Sequence, residues 1–187
     1  MRIISGKYSG RFFQPPKKMP ARPTTDIAKQ GLFNILQNEF DFEEIRFLDL
    51  FGGTGSISYE AASRGCEYSH TIEIDAKLVQ FIKSNFELLQ LPKTCQVFKM
   101  DIFKYLQTAT EQFDLIFAGP PYPLPNLNTI PDKVFASKVL KENGWFVLEH
   151  NPNHNFDNHP HFLKKRNYGS TIFSIFTNEV ALEKRAD

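Results

Sequence analysis

Three stretches of this 187-residue chain collect side chains suited to binding and orienting a ligand. The first is Asp49-Leu50-Phe51-Gly52-Gly53-Thr54-Gly55. Closely spaced glycines after an apolar run let a ligand approach the backbone, and a following helix presents free amides at its N-terminus. The order Gly-Gly-Thr-Gly is not the G-x-G-x-x-G fingerprint of dinucleotide sites. Asp49 lies inside the preceding run, poised to fix a cation such as the amino group of a methionine moiety. The second stretch is Glu73-Ile74-Asp75, where Glu73 lies about 20 residues past the glycine turn, the offset of a carboxylate that takes both hydroxyls of a ribose. Ile74 can cover one face of an adenine, and Asp101 can read its amino edge. The third is Gly119-Pro120-Pro121-Tyr122. Two prolines fix the backbone and leave carbonyls without local donors, and Tyr122 projects a ring. A base flipped from its stack needs an aromatic face and acceptors aimed at its amine, which the Tyr122 ring and the Pro120 carbonyl would supply.

Taken singly, each motif has a plainer explanation: a tight turn, a strand-end cap, a common loop. Their weight comes from the elements that must carry them. Residues 1–13 read as two short strands around Gly6 and Gly10, followed by an extended connector at Pro15, Pro16 and Pro20. Thr24 or Thr25 caps a helix with Leu32, Phe33, Ile35 and Leu36 on its apolar face. Strands over 47–51, 71–75, 96–100, 113–118 and 145–149 then alternate with helices over 58–64, 76–89 and 133–140. A hairpin of residues 162–167 and 171–177 turns at Tyr168-Gly169. Alternation of this kind predicts an α/β fold with a mostly parallel sheet, right-handed crossovers and an antiparallel closing pair. In such sheets ligands lie beyond the carboxyl ends of the strands, where all three motifs fall.

Composition sets wider bounds. The length suits one α/β domain covering residues 1–187. Hydrophobic residues make up 41% and charged residues 23%, the balance of a soluble globular protein. The formal net charge is only +1, so any basic surface must be local. One candidate is residues 1–22, with Arg2, Lys7, Arg11, Lys17, Lys18 and Arg22 and no acid. Cys66 and Cys95 fit neither a metal spacing nor a disulfide framework, which points to a reducing cytoplasm. No signal peptide or membrane-length apolar run is evident, so no membrane partner is expected. His150, His154, His159 and His161 are irregularly spaced among Asn and Pro, and read as a solvated connection rather than a metal site. No Ser/His/Asp or Cys/His nucleophile arrangement emerges.

Over nearly its whole length the chain resembles the bacterial family that methylates the exocyclic N2 of a guanine in 16S ribosomal RNA. The resemblance is carried by Arg2-Ile3-Ile4-Ser5-Gly6 with Gly10-Arg11, Arg22-Pro23-Thr24-Thr25-Asp26, Leu32-Phe33-Asn34, residues 48–56, residues 60–65, and Tyr168-Gly169. The Arg-Pro-Thr-Thr-Asp segment discriminates most, because generic methyltransferases lack it. The resemblance implies a Rossmann-like class I methyltransferase with a seven-stranded sheet and S-adenosylmethionine as methyl donor. It implies the small ribosomal subunit or its assembly intermediate as partner, met by a monomer. Asp49, Phe51, Gly52, Gly53, Gly55, Glu73, Ile74 and Asp101 would then hold the donor, and residues 119–122 the target base. Arg2, Lys7, Arg11, Arg22 and Thr24, in an N-terminal arm of residues 1–24, would face RNA. Direct transfer needs neither a metal nor an enzyme nucleophile.

One position departs from the family. Its motif is Asp or Asn followed by Pro-Pro-Tyr, and this chain has Gly119. The missing side chain would accept a hydrogen bond from the target amine, and losing such a group typically costs on the order of 10²–10³ in rate. Three readings stay open: a change introduced into the chain, a natural glycine compensated elsewhere, or catalysis lost while binding is kept. Slow transfer with normal donor binding is the expectation. The alternatives are an amino-methyltransferase acting on adenine N6 or another nucleic-acid base, and an RNA-binding assembly factor that keeps the donor site.

Overall fold

The computed structural model describes residues 1–16, 24–121 and 123–178. Helix α1 spans Asp26–Gln37, and the sheet begins with β1, Arg46–Asp49. There follow α2 (Ser56–Ser63), β2 (Tyr68–Glu73), α3 (Ala76–Leu88), β3 (Cys95–Lys99), α4 (Ile102–Thr108) and β4 (Phe113–Ala118). After α5 (Ile130–Ser137) come β5 (Leu140–His150), β6 (Phe162–Tyr168) and β7 (Thr171–Thr177). The seven strands lie in the order β3-β2-β1-β4-β5-β7-β6, with β7 antiparallel to both its neighbours and the other pairings parallel. The strand order changes direction between β1 and β4, and in sheets of this kind ligands lie beyond the carboxyl ends of the strands at that point.

Strand periodicity sorts the core. Phe47, Leu115, Phe117, Trp145 and Val147 face α1, whereas Leu48, Ile116, Ala118, Phe146 and Leu148 face α4 and α5. Successive side chains on a strand point to opposite faces, so apolar runs with no polar alternation mark strands buried on both sides. Among the described residues, no helix is long and apolar enough to cross a membrane.

The helix over Ile102–Thr108 was not anticipated, because its seven residues are too few for a periodic signal. The helix expected over 133–140 runs instead over Ile130–Ser137. Pro131 opens it, and Lys138 at φ 60° ends it, handing Leu140 to a strand of 11 residues. The strand expected to end at Asp75 ends at Glu73, and Asp75 caps α3 by accepting from the amides of Lys77 and Leu78. Thr25 caps α1 through the Ala28 amide.

The N-terminal hairpin forms as a short antiparallel pairing centred on the Arg2–Phe12 bridge, with backbone hydrogen bonds joining Met1 to Phe13 and Ile3 to Gly10 and Arg11. Side chains of α1 and α2 then dock this segment on the domain. Buried Glu60 accepts from the amides of Ile4 and Ser5 at 2.7 and 3.1 Å. Ser63 Oγ accepts from the Tyr8 amide at 2.9 Å. Gly6 passes so close to α2 that a Cβ there would sit 1.8 Å from the Ser63 carbonyl oxygen, and its φ of +81° suits glycine. Buried Lys29 donates to the Arg2 carbonyl at 2.6 Å and to Ser56 Oγ at 2.9 Å, which sets Arg2 beside the first turn of α2.

Two of the four histidines depart from the solvated connection expected of them. His150 is buried at the end of β5, where its ring meets the Ser174 hydroxyl at 2.8 Å. His161 stacks on Phe135 at 3.8 Å. Their Asn- and Pro-rich setting concealed that β5 runs to His150 and that this connection packs back on the sheet.

Candidate active site

The first glycine turn leaves β1 directly opposite β4, where Asp49 pairs in register with Phe117. Asp49 is 1% exposed, and its Oδ2 accepts from the Ser58 hydroxyl at 2.7 Å. Its Oδ1 is buried without a hydrogen-bond partner among the described residues. A buried acceptor of this kind is costly unless a donor meets it. Burial pushes the Asp49 carboxyl up to about 7, against the hydrogen bond from Ser58 and a looser approach of the Phe51 amide that falls short of hydrogen-bond geometry. An ammonium group at Oδ1 would supply both the missing donor and a counter-charge.

Gly53, at φ +53°, donates its amide to Glu73 Oε2 at 2.7 Å, and a Cβ there would meet only the Phe51 carbonyl oxygen, at 3.8 Å. The turn is thus open on the side from which a ligand would come. Gly55 occupies the N-cap of α2 with no side-chain cap, leaving the first-turn amides to another acceptor. Gly52 packs inward against Thr71. Phe51 is half-buried against the core on the α4 and α5 side.

Glu73 also accepts from the Asp75 amide, at 2.8 Å, so two backbone donors hold its carboxylate rigidly at the end of β2. Each oxygen keeps a second lone pair for a ribose hydroxyl. Next to it Ile74 is 64% exposed, a large apolar side chain presented to solvent just beyond the end of β2. Asp101 is not a strand end: its Oδ1 caps α4 through the amides of Phe103 and Lys104 at 2.9 and 3.1 Å. Donor-site residues from three strand ends and their following turns thus share one edge of the sheet. Asp49 Oδ1 and the open face at Gly53 fit the amino-acid and nucleoside halves of S-adenosylmethionine.

Gly119 and Pro120 follow β4 on the same edge; Pro120 is buried and Pro121 exposed. Only one of the two expected undonated carbonyls is present, because the Pro121 carbonyl accepts from the Leu124 amide at 2.9 Å. Among the described residues no donor reaches the Pro120 carbonyl. Tyr122 and Arg22 lie outside the described residues.

A family model described as conserved hypothetical protein 95 matches residues 1–177. YlbH of Bacillus subtilis is 37% identical over 80% of this chain and 82% of its own length. The ribosomal RNA small subunit methyltransferase D of Buchnera aphidicola is 30% identical over 80% and 75%. The chain belongs to this family. The methyltransferase yhhF structure of Escherichia coli superposes with a TM-score of 0.82 at 23% identity, covering 96% of this chain and 98% of that one. The fold is therefore that of the Rossmann-like methyltransferases. A 16S rRNA N2 G1207 methyltransferase of Thermus thermophilus, in complex with AdoMet and guanosine, superposes at a TM-score of 0.66 and 22% identity, over 82% of this chain and 43% of that one.

In this family member the residues assigned to RNA divide. Arg2, Lys7 and Arg11 are exposed, with Lys7 and Arg11 at 5.3 and 5.4 Å from the Tyr8 ring and Arg2 3.5 Å from Asp26. Thr24 instead turns inward, donating its hydroxyl to Glu149 Oε2 at 2.5 Å. Glu149 was not singled out in the sequence, although it ends a predicted strand as the other acids do. Ser58 was missed as well, since nothing local marks a helical serine as the partner of an aspartate nine positions earlier.

Proposed function

We propose that this chain transfers the methyl group of S-adenosylmethionine to the exocyclic N2 of a guanine in 16S ribosomal RNA, as a monomer acting on the small subunit in the cytoplasm. The observation that carries the reading is the Asp49 Oδ1, buried without a hydrogen-bond partner among the described residues, one strand away from Gly119-Pro120-Pro121. It puts a site for a methionine ammonium beside a strand end suited to an amine. S-adenosylmethionine, when bound, supplies an electrophilic methyl group. Asp49 holds the amino-acid end, Glu73 the ribose, and Ile74 one face of the adenine. The Pro120 carbonyl accepts a hydrogen bond from the target amine, which turns the nitrogen lone pair toward the methyl group. Guanine N2 is a weak nucleophile, so alignment contributes much of the acceleration.

The family relationship and the guanosine-bound neighbour favour guanine over adenine. The test incubates the chain with unmethylated small subunits and labelled donor, digests the RNA and identifies the methylated nucleoside. N2-methylguanosine is expected; N6-methyladenosine, or no product, would overturn the reading.

Exposed Lys7 and Arg11 face RNA in this reading. Reversing both to glutamate is expected to raise KM for small subunits by roughly 10–100-fold, with the salt dependence of RNA binding shallower by about two contacts. Donor affinity should be unchanged. Equal KM for variant and wild type would remove these residues from the RNA surface.

A further inference from the structure

We infer that Glu149 supplies the acceptor that Gly119 lacks, and that Thr24 positions it. The inference rests on the amine-methylation reading above. β4 and β5 run parallel with Ala118 opposite Leu148, so the next residues along, Gly119 and Glu149, are neighbours at the carboxyl edge. Glu149 is 6% exposed. Its Oε2 lies 3.6 Å from the point where a Cβ on Gly119 would stand. A longer side chain from the neighbouring strand therefore brings a carboxylate into the space that an aspartate or asparagine at position 119 would enter. The Thr24 hydroxyl, 2.5 Å from the same oxygen, holds it there.

Glycine leaves this space open. A Cβ at position 119 would stand 3.0 Å from the Phe117 ring, which would have to shift by a few tenths of an ångström, and at ordinary contact distance from the carboxylate. Gly119 does not have a positive φ, so a side chain there would meet only the Phe117 ring closely and no backbone strain. Thr24 belongs to the Arg-Pro-Thr-Thr-Asp segment, so the segment that distinguishes this family also braces the acceptor.

In the reaction Glu149 accepts a hydrogen bond from N2–H. The N–C bond forms as the C–S bond breaks, and the bonding pair leaves with sulfur. The surplus proton on N2 passes to the carboxylate and then to water.

Turnover of small subunits, KM and calorimetric affinity for S-adenosylhomocysteine are measured for Glu149→Ala, Glu149→Gln, Thr24→Val, Gly119→Asp and the double variant Glu149→Ala/Gly119→Asp. Glu149→Ala should lower kcat about 10²-fold, the scale for a lost polar group at a reacting centre, with cofactor affinity unchanged. Glu149→Gln, whose amide oxygen still accepts, should keep kcat within about tenfold, and Thr24→Val should fall between. Gly119→Asp should restore Glu149→Ala at least about tenfold, which a purely structural role for Glu149 would not allow. Should Glu149→Ala not fold, Glu149→Met, close in size, carries the same expectation. No rescue by Gly119→Asp overturns the inference, and so does a large gain from Gly119→Asp alone, since that would mean the acceptor was missing. If wild type methylates no base, the reading above fails. The role of Glu149 is then decided by guanosine binding with S-adenosylhomocysteine present: weaker for Glu149→Ala supports it, and equal to wild type overturns it.

Discussion

Replacing Asp49 by asparagine is expected to weaken S-adenosylmethionine binding by about 10²–10³-fold, the cost of removing one partner from a buried charge pair. The same change leaves the fold as stable as before or more so at pH 8. Both effects come from one buried carboxyl pushed up to about 7. Because its folded value lies above its unfolded value of 3.8, it favours folding at low pH, and that contribution is lost as pH rises through about 7. Above that range the ionised group is a burden on the free protein, which asparagine removes. The bound ammonium requires the ionised form. Affinity should therefore rise about tenfold per pH unit up to pH 7 and fall again above the ordinary α-amino pKa of about 8. Calorimetric titration between pH 5.5 and 8.5 tests this. Asp49→Asn should lose the acid limb, and an unchanged limb or unchanged affinity would separate Asp49 from the ammonium.

Glu60→Ala should have the opposite character, with a large loss of stability from a residue that touches no ligand. Glu60 is fully buried, paired with Arg64 at 2.8 Å and with Lys29 at 3.9 Å, and it accepts two N-terminal amides. Burial holds the Lys29 ammonium below its usual range, with Glu60 opposing that shift. Removing Glu60 leaves two buried cations and two amides without their acceptor, at a cost of about 3–5 kcal/mol. Denaturant unfolding measures the loss, and hydrogen exchange over residues 1–13 should rise further than elsewhere. A change below about 1 kcal/mol would show that the N-terminal segment is held by its apolar contacts instead.

The outcome of reading the site from sequence varied with the residue. Glycines and prolines announce backbone geometry wherever they stand, so Gly52, Gly53, Gly55 and the prolines of the third motif were legible one residue at a time. Glu73 and Asp49 were legible because a strand-then-turn pattern places them at a strand end. Asp101 shows the limit of that rule. An acid just beyond a strand is also an N-cap, and the short helix that makes it one carried no periodic signal of its own. Thr24 shows another limit. A threonine beside basic residues suggests RNA, yet its hydroxyl faces a glutamate 125 positions away.

The sequence by itself determined the alternation of strands and helices, the antiparallel closing pair and the sheet edge that bears the ligand residues. These depend on local periodicity and on turn residues, which short segments contain in full. Only the tertiary structure decided what each acid faces. The burial of the Asp49 carboxylate, the docking of residues 1–13 on Glu60 and the approach of Glu149 to Gly119 all depend on strand order and register. Those are set by packing both faces of the whole sheet at once, and no window of the chain contains them.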